Sequence, residues 1–168
     1  DVCSSDLALG LTDFNNIFGG LIFYTHARKA GLKPILGCDL VIENEADRDK
    51  PFRLAVLCQN KTGYLTLCEL LSRAWLKNQY MGRGETKLQW LLESNEGLII
   101  TSGGPEGQLA SLLLSEKQDE AYELAQQMKA AWGDRFYLEL QRAGRPHDEA
   151  TVRHFVTLAE KFDIPVIA

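Results

Sequence analysis

Leu11-Thr12-Asp13-Phe14-Asn15-Asn16, with Gly37-Cys38-Asp39 starting 21 residues after Asn16, decides how this chain is read. Each segment follows a short apolar run, residues 7–11 and residues 34–36, at the point where a strand of an α/β barrel would end. Barrel enzymes carry their chemistry on the loops at the C-terminal ends of their strands. Asp13 and Asp39 are therefore candidate site residues, two carboxylates expected to converge on one pocket and able to hold a metal ion. Phe14, beside the first, has no lone pair to offer. The two segments locate a site and suggest that its chemistry has been lost.

Outward from these segments, apolar runs alternate with helical periodicity. Residues 8–11 read as a strand and residues 17–30 as a helix, apolar at 17, 18, 21, 22 and 27, with Asn15 or Asn16 to cap its start and Gly31 to end it. Residues 34–42 and 52–58 read as strands separated by a polar loop, ENEADRDK, and Pro51. The second is apolar at most positions, as a strand buried on both faces should be. Residues 64–76 make a helix with Leu67, Leu70, Leu71, Ala74 and Trp75 on one stripe. A Gly-containing basic loop at 80–85 and a short helix at 88–93 follow. Residues 97–101 are a further strand, broken by Ser102-Gly103-Gly104-Pro105. Helices at 108–114 and 119–132, a strand at 135–141, a helix at 146–162 with Pro146 in its first turn and a strand at 166–168 complete the pattern. This order predicts an α/β fold with a mostly parallel sheet. It suits part of a barrel better than a closed small domain.

Composition narrows the function. The 168 residues are 45% hydrophobic and 24% charged, with a formal net charge of −5, so the piece as a whole is not drawn to a polyphosphate backbone. Arg73, Lys77 and Arg83 form the one local basic cluster of note. No apolar run approaches the roughly 18 residues of a membrane helix, so no membrane partner is expected. Cys3, Cys38, Cys58 and Cys68 show no Cys-x-x-Cys spacing, which fits reduced thiols in a cytoplasmic protein. Residues 1–7, DVCSSDL, are what the end of a common sequencing adapter translates to; they are expected to be an artefact and are set aside from fold reasoning.

The usual catalytic constellations are missing. His26 lies inside the first helix, and His147 and His154 are seven apart, too far for the i, i+4 pairing by which a helix chelates zinc. Asp13 precedes a helix and is expected to cap it or bind loop amides at least as readily as a metal. Ser102-Gly103-Gly104 lacks the lysine and length of a P-loop and reads as a tight strand-to-helix turn. No Ser-His-Asp or Cys-His arrangement is discernible.

Taken together, several blocks resemble a known family. LTDFNNIFG at residues 11–19 and KAGLKPILGCD at 29–39 are similar to the PHP (polymerase and histidinol phosphatase) domain in the form that opens bacterial replicative DNA polymerase III α subunits. The likeness continues through LCQNKTGYL at 57–65, LLSRAW at 70–75, EGLIITSGG at 96–104, DRFYLELQ at 134–141 and IPVIA at 164–168. The blocks keep order and spacing across residues 8–168, which the resemblance makes an incomplete PHP domain with a distorted (β/α)7 barrel fold.

In metal-binding members of this family, histidines and carboxylates at the strand ends hold a cluster of ions. By resemblance, Asp13 and Asp39 are vestigial ligand positions, Asp39 standing for a longer glutamate. Phe14 and Arg53 stand where histidines are usual, Gly104 where some members have a cysteine, and Ala143 near another histidine. Family motifs on either side would fall before residue 8 and after Ala168. The resemblance thus implies no catalytic, cofactor or metal residue in this segment. It implies instead a degenerate PHP domain with a scaffold and subunit-docking role inside a DNA-directed DNA polymerase. The parent would use magnesium in a separate polymerase domain. Implied partners are the remaining polymerase domains, the proofreading exonuclease subunit and, through the parent, DNA. The competing expectations are a metal-dependent PHP phosphoesterase or proofreading nuclease, and the error-prone α-subunit relative of damage-induced synthesis.

Overall fold

The computed structural model describes residues 7–168; residues 1–6, which hold Cys3 and most of the stretch read as translated adapter, lie outside the described residues. Its frame is a curled six-stranded sheet in the order β1-β2-β3-β6-β7-β8, formed by β1 (Ala8–Phe14), β2 (Lys33–Ile42), β3 (Phe52–Cys58), β6 (Leu98–Thr101), β7 (Phe136–Glu139) and β8 (Val166–Ile167). β1 and β2 are parallel, as are β6, β7 and β8, while β3 runs against both of its neighbours. The reversal follows from the connections. A helix, α1 (Gly20–Lys29), carries the chain from β1 back to the start of β2, whereas only the polar loop 43–51 separates β2 from β3.

Side chains alternate across the sheet, and the two faces differ sharply. Cys38, Val56, Ile100 and Phe136 stand side by side across β2, β3, β6 and β7, all fully buried. With Leu40, Leu54, Leu98 and Leu138 they form the sheet side of the core. Leu67, Leu70 and Leu71 of α2 (Lys61–Lys77), Leu109 and Ala110 of α4 (Gln108–Leu114), Met128 and Trp132 of α5 (Gln118–Trp132), and Phe155 and Leu158 of α6 (Asp148–Phe162) supply the helix side. Leu91 of α3 (Leu88–Glu93) joins them. Each such side chain stabilises the fold by about 1.5–3 kcal/mol through burial. The opposite face bears Asp39, Arg53, Ala55, Leu57, Ile99, Tyr137 and Glu139, all only half-buried.

Most predicted elements recur, and β3, α3 and α4 match to the residue. β1 differs: it runs on to Phe14, in register with Asp39, instead of ending at Leu11. The first helix begins three residues late, at Gly20, because Asn15 takes a left-handed φ of 56° and Asn16 makes a turn by accepting the Phe18 amide (2.9 Å). The basic loop is a hairpin, β4 (Gln79–Tyr80) with β5 (Arg83–Gly84), whose tip residues Met81 and Gly82 have φ of 48° and 79°, the primed-turn geometry of two-residue hairpins. Trp75, predicted on the buried stripe, lies at its margin and donates its indole N–H to the Asn15 carbonyl (3.2 Å). Among the described residues no helix is long and apolar enough to cross a membrane.

Candidate functional site

The two aspartates do not converge. β1 and β2 register Asp13 with Cys38 and Phe14 with Asp39, so Asp13 shares the helix-covered face with Cys38 while Asp39 shares the open face with Phe14. Strand alternation alone separates them once β1 is seen to continue past Leu11. Asp13 instead accepts the amide of Gly19 at the entry to α1, with Oδ2 2.7 Å away. That is the capping role an aspartate between strand and helix is suited to.

On the open face, Asp39 is met by Arg53. The hairpin places Arg53 opposite Val41, diagonal to Asp39 on the same face, a spacing that long side chains bridge. Because β3 runs backward, its second residue lies at the rim where β1 and β2 end. The guanidinium grips Asp39 through two donors, Nε to Oδ1 at 3.2 Å and Nη2 to Oδ2, and gives Nη1 to Glu106 Oε2 at 2.7 Å. Its central carbon lies 4.9 Å from the centroid of the Phe14 ring, within cation–π range. Arg145 adds a second, looser contact to Glu106 at 3.8 Å.

Glu106 reaches this point through the turn after β6. Gly103, at φ 75°, lies so close to the start of β3 that a Cβ there would sit 1.9 Å from the Arg53 carbonyl oxygen. Only glycine permits both the left-handed backbone and that approach. The chain then makes a 3-10 turn, Gly104–Glu106, and enters α4, the tight strand-to-helix turn predicted from Ser102-Gly103-Gly104. Gly104 faces the Gln141 amide, Gln141 and Thr101 both donate to the Glu139 carboxylate, and Ala143 gives its backbone N–H to Asp148 (2.7 Å). The strand ends are thus filled by a chain of mutually bonded polar groups.

Three partners escaped the sequence reading. Glu106 carried no signal beyond an acidic residue in a helix's first turn. Glu139 was legible, since alternation in β7 sets it opposite Phe136 and Leu138. Asn15, expected to cap a helix, is instead a buried cross-link: its side chain donates to the Gly84 carbonyl at 2.8 Å, and its own amide donates to the Asp39 carbonyl at 2.8 Å. It pins the hairpin to the end of β2.

The remaining candidates are structural. Arg83 and Arg48 clamp the fully buried Glu85 at 2.9 and 2.7 Å, and Arg73 stacks on Trp90, so the predicted basic cluster spends these cations internally. His26 bonds the Ile22 carbonyl of its own helix; His147 precedes α6 and His154 is exposed. Burial pushes the Cys38 thiol up to about 12 and the Cys58 thiol up to about 11, so neither supplies a thiolate near neutral pH. Among the described residues no group of three or more His, Cys, Asp or Glu is placed to hold a metal ion.

Comparison with known proteins agrees with this architecture. A PHP domain profile matches residues 6–143. DNA polymerase III subunit alpha of Pseudomonas fluorescens is 40% identical over 162 residues, that of Neisseria meningitidis serogroup A 42% over 164, and that of Escherichia coli K12 37% over 161. Each match covers 96% of this chain but 14% of the relative, so the chain spans about one-seventh of the length of these curated relatives. Among solved structures, a candidate metal-dependent phosphoesterase from Bifidobacterium adolescentis superposes with a TM-score of 0.62 at 13% identity, covering 95% of this chain and 75% of that one, a likeness of fold.

Proposed function

The chain belongs to the PHP domain family, and from that premise we propose that it is the PHP portion of a replicative DNA polymerase III α subunit, a domain that has exchanged a metal for an arginine and acts as scaffold. The observation that carries this reading is the Arg53 guanidinium, seated among Asp39, Glu106 and Phe14 at the strand-end rim. A divalent ion needs several lone pairs converging on one point. Here Phe14 offers none, Asp13 lies on the other face, and both carboxylates near Arg53 are already neutralised by a charge that cannot be titrated away. This donor set does not fit a divalent ion, and the fixed cation would repel one.

An arginine in that position fastens three strand ends and the β6–α4 turn to one another. Such a cross-braced rim suits a domain whose task is to hold other parts of a polymerase in place. The parent protein would extend DNA from deoxynucleoside triphosphates, with magnesium bound in its polymerase domain. Its PHP portion would dock the remaining domains and the proofreading exonuclease subunit in the cytoplasm. The relatives' shared name and the 96% coverage of this chain support the parent assignment.

Metal analysis and primer extension on the purified full-length polypeptide test both halves. Template-directed extension in magnesium, with no stoichiometric zinc or manganese retained through gel filtration, is the expected result. A tightly held cluster of zinc or manganese ions would overturn the arginine-for-metal reading, and failure to extend a primer would overturn the parent assignment.

A further inference from the structure

The fold leaves a large apolar area uncovered on α1 and α2. Phe18, Leu21 and Ile22 are 87, 78 and 65% exposed, and Leu65 and Leu76 are 55 and 78% exposed. Single exposed leucines are ordinary, but a run of them across two adjacent helices marks a contact surface. α1 buries only Gly20 and Ala27, so its large apolar side chains point away from the sheet it crosses. Two grooves of about 590 Å3 each meet at Ile17. One runs past Leu21, Tyr24 and Tyr64 over Leu36, the other between Phe18 and the Trp75–Leu76 end of α2.

Charge says what kind of chain would lie there. Against a net charge of −5 overall, α1 has no carboxylate and α2 only Glu69, while the two helices carry Arg28, Lys29, Lys61, Arg73 and Lys77. Among the described residues, Arg28, Lys29, Lys61 and Lys77 take part in no ion pair. Apolar grooves bordered by unspent cations complement an amphipathic helix with acidic flanks. A nucleic acid is the poorer match, because the groove floors are apolar and one of them holds the Asp13 carboxylate.

We infer that α1 and α2 form a docking face for an acid-flanked amphipathic helix belonging to the same polypeptide outside residues 1–168. The source follows from length. The curated relatives extend about sevenfold beyond the matched span, and a tethered segment meets its site at a high effective concentration without an affinity of its own. The inference rests on the α-subunit reading above and adds the surface by which the PHP portion is held.

The test uses the full-length polypeptide with single cysteines at Leu21→Cys and Leu76→Cys, and at Met81→Cys and Val156→Cys as exposed comparators away from the face. Alkylation is followed site by site by peptide mass spectrometry. A covered face makes the first pair react at least roughly tenfold slower than the second. A photo-crosslinker at Leu65 is expected to capture an acidic, amphipathic peptide of the same chain. Equal alkylation at all four positions overturns the inference, as does a crosslink to a second copy or only to an added exonuclease subunit. Primer extension on the same preparations separates the two ideas. Extension with unprotected cysteines removes the docking face alone, and no extension from the unmodified polypeptide removes the α-subunit reading.

Discussion

Replacing Arg53 by methionine keeps the aliphatic stem and deletes the cation, which isolates the bond network at the rim. The Arg53 and Asp39 side chains are 36 and 22% exposed, so their pair lies between a screened surface bridge and a buried one. A shielded charge-assisted bond is worth about 1.5–3 kcal/mol and an exposed pair about 0.2–1 kcal/mol. Discounted for solvent screening, the fork onto Asp39 contributes about 1–1.5 kcal/mol. The bond to Glu106, whose side chain is 47% exposed, adds about 0.5 kcal/mol, and the Phe14 contact a similar amount. Arg53→Met is therefore expected to cost about 2 kcal/mol, or about 4–8 °C in Tm for a domain of this size. Urea unfolding followed by tryptophan fluorescence reads the change. A double-mutant cycle with Asp39→Asn should return a coupling of about 1 kcal/mol. If Arg53→Met is as stable as the parent, or the two substitutions simply add, the guanidinium is a solvated surface group and the bracing argument is wrong.

Asn15→Ala removes a buried bond to the Gly84 carbonyl and places an L side chain at φ 56° without Asn's tolerance for it. The expected loss is about 2–4 kcal/mol, and Asn15→Gly should recover about 1 kcal/mol of it by relieving the backbone, both measured by denaturant midpoint. The thiols give a pH dependence. Burial raises Cys38 from 9.0 to about 12 and Cys58 from 9.0 to about 11, so the unfolded chain releases these protons first. Their contribution is intact below pH 9 and is lost as pH rises from there through the folded-state values, at no more than about 1.4 kcal/mol per pH unit per thiol. Stability that stays flat between pH 9 and 11, or Cys38 alkylated as fast as a free thiol at pH 8.5, would contradict this.

How far the sequence could be read depended on where each residue's partners lie along the chain. β3, α3 and α4 were legible to the residue because their periodicity is local and their ends carry Pro, Gly or polar signals. The site was legible as a location but not as an arrangement. Ending β1 at Leu11 left Asp13 and Asp39 on unspecified loops, whereas three further strand residues fix them on opposite faces. Asn15 looked like a cap because caps are local, yet its side-chain partner Gly84 is 69 residues away. Glu106 was invisible for the same reason, 53 residues from Arg53 and delivered by a glycine contact that only the folded backbone reveals.

The arginine at the rim also constrains what this domain can become. With Arg53 bound by both Asp39 and Glu106, changing the arginine alone strands two carboxylates, and changing either carboxylate alone leaves part of a permanent cation unmatched. Arg53 reaches them only because the register of the β2–β3 hairpin points it to the open face. A one-residue insertion or deletion in the 43–51 loop that shifted this register would turn it into the apolar core. Return to an ion-binding centre therefore requires several substitutions together, each costly by itself. The rim works as an evolutionary ratchet, holding the domain to its present form through a handful of bonds.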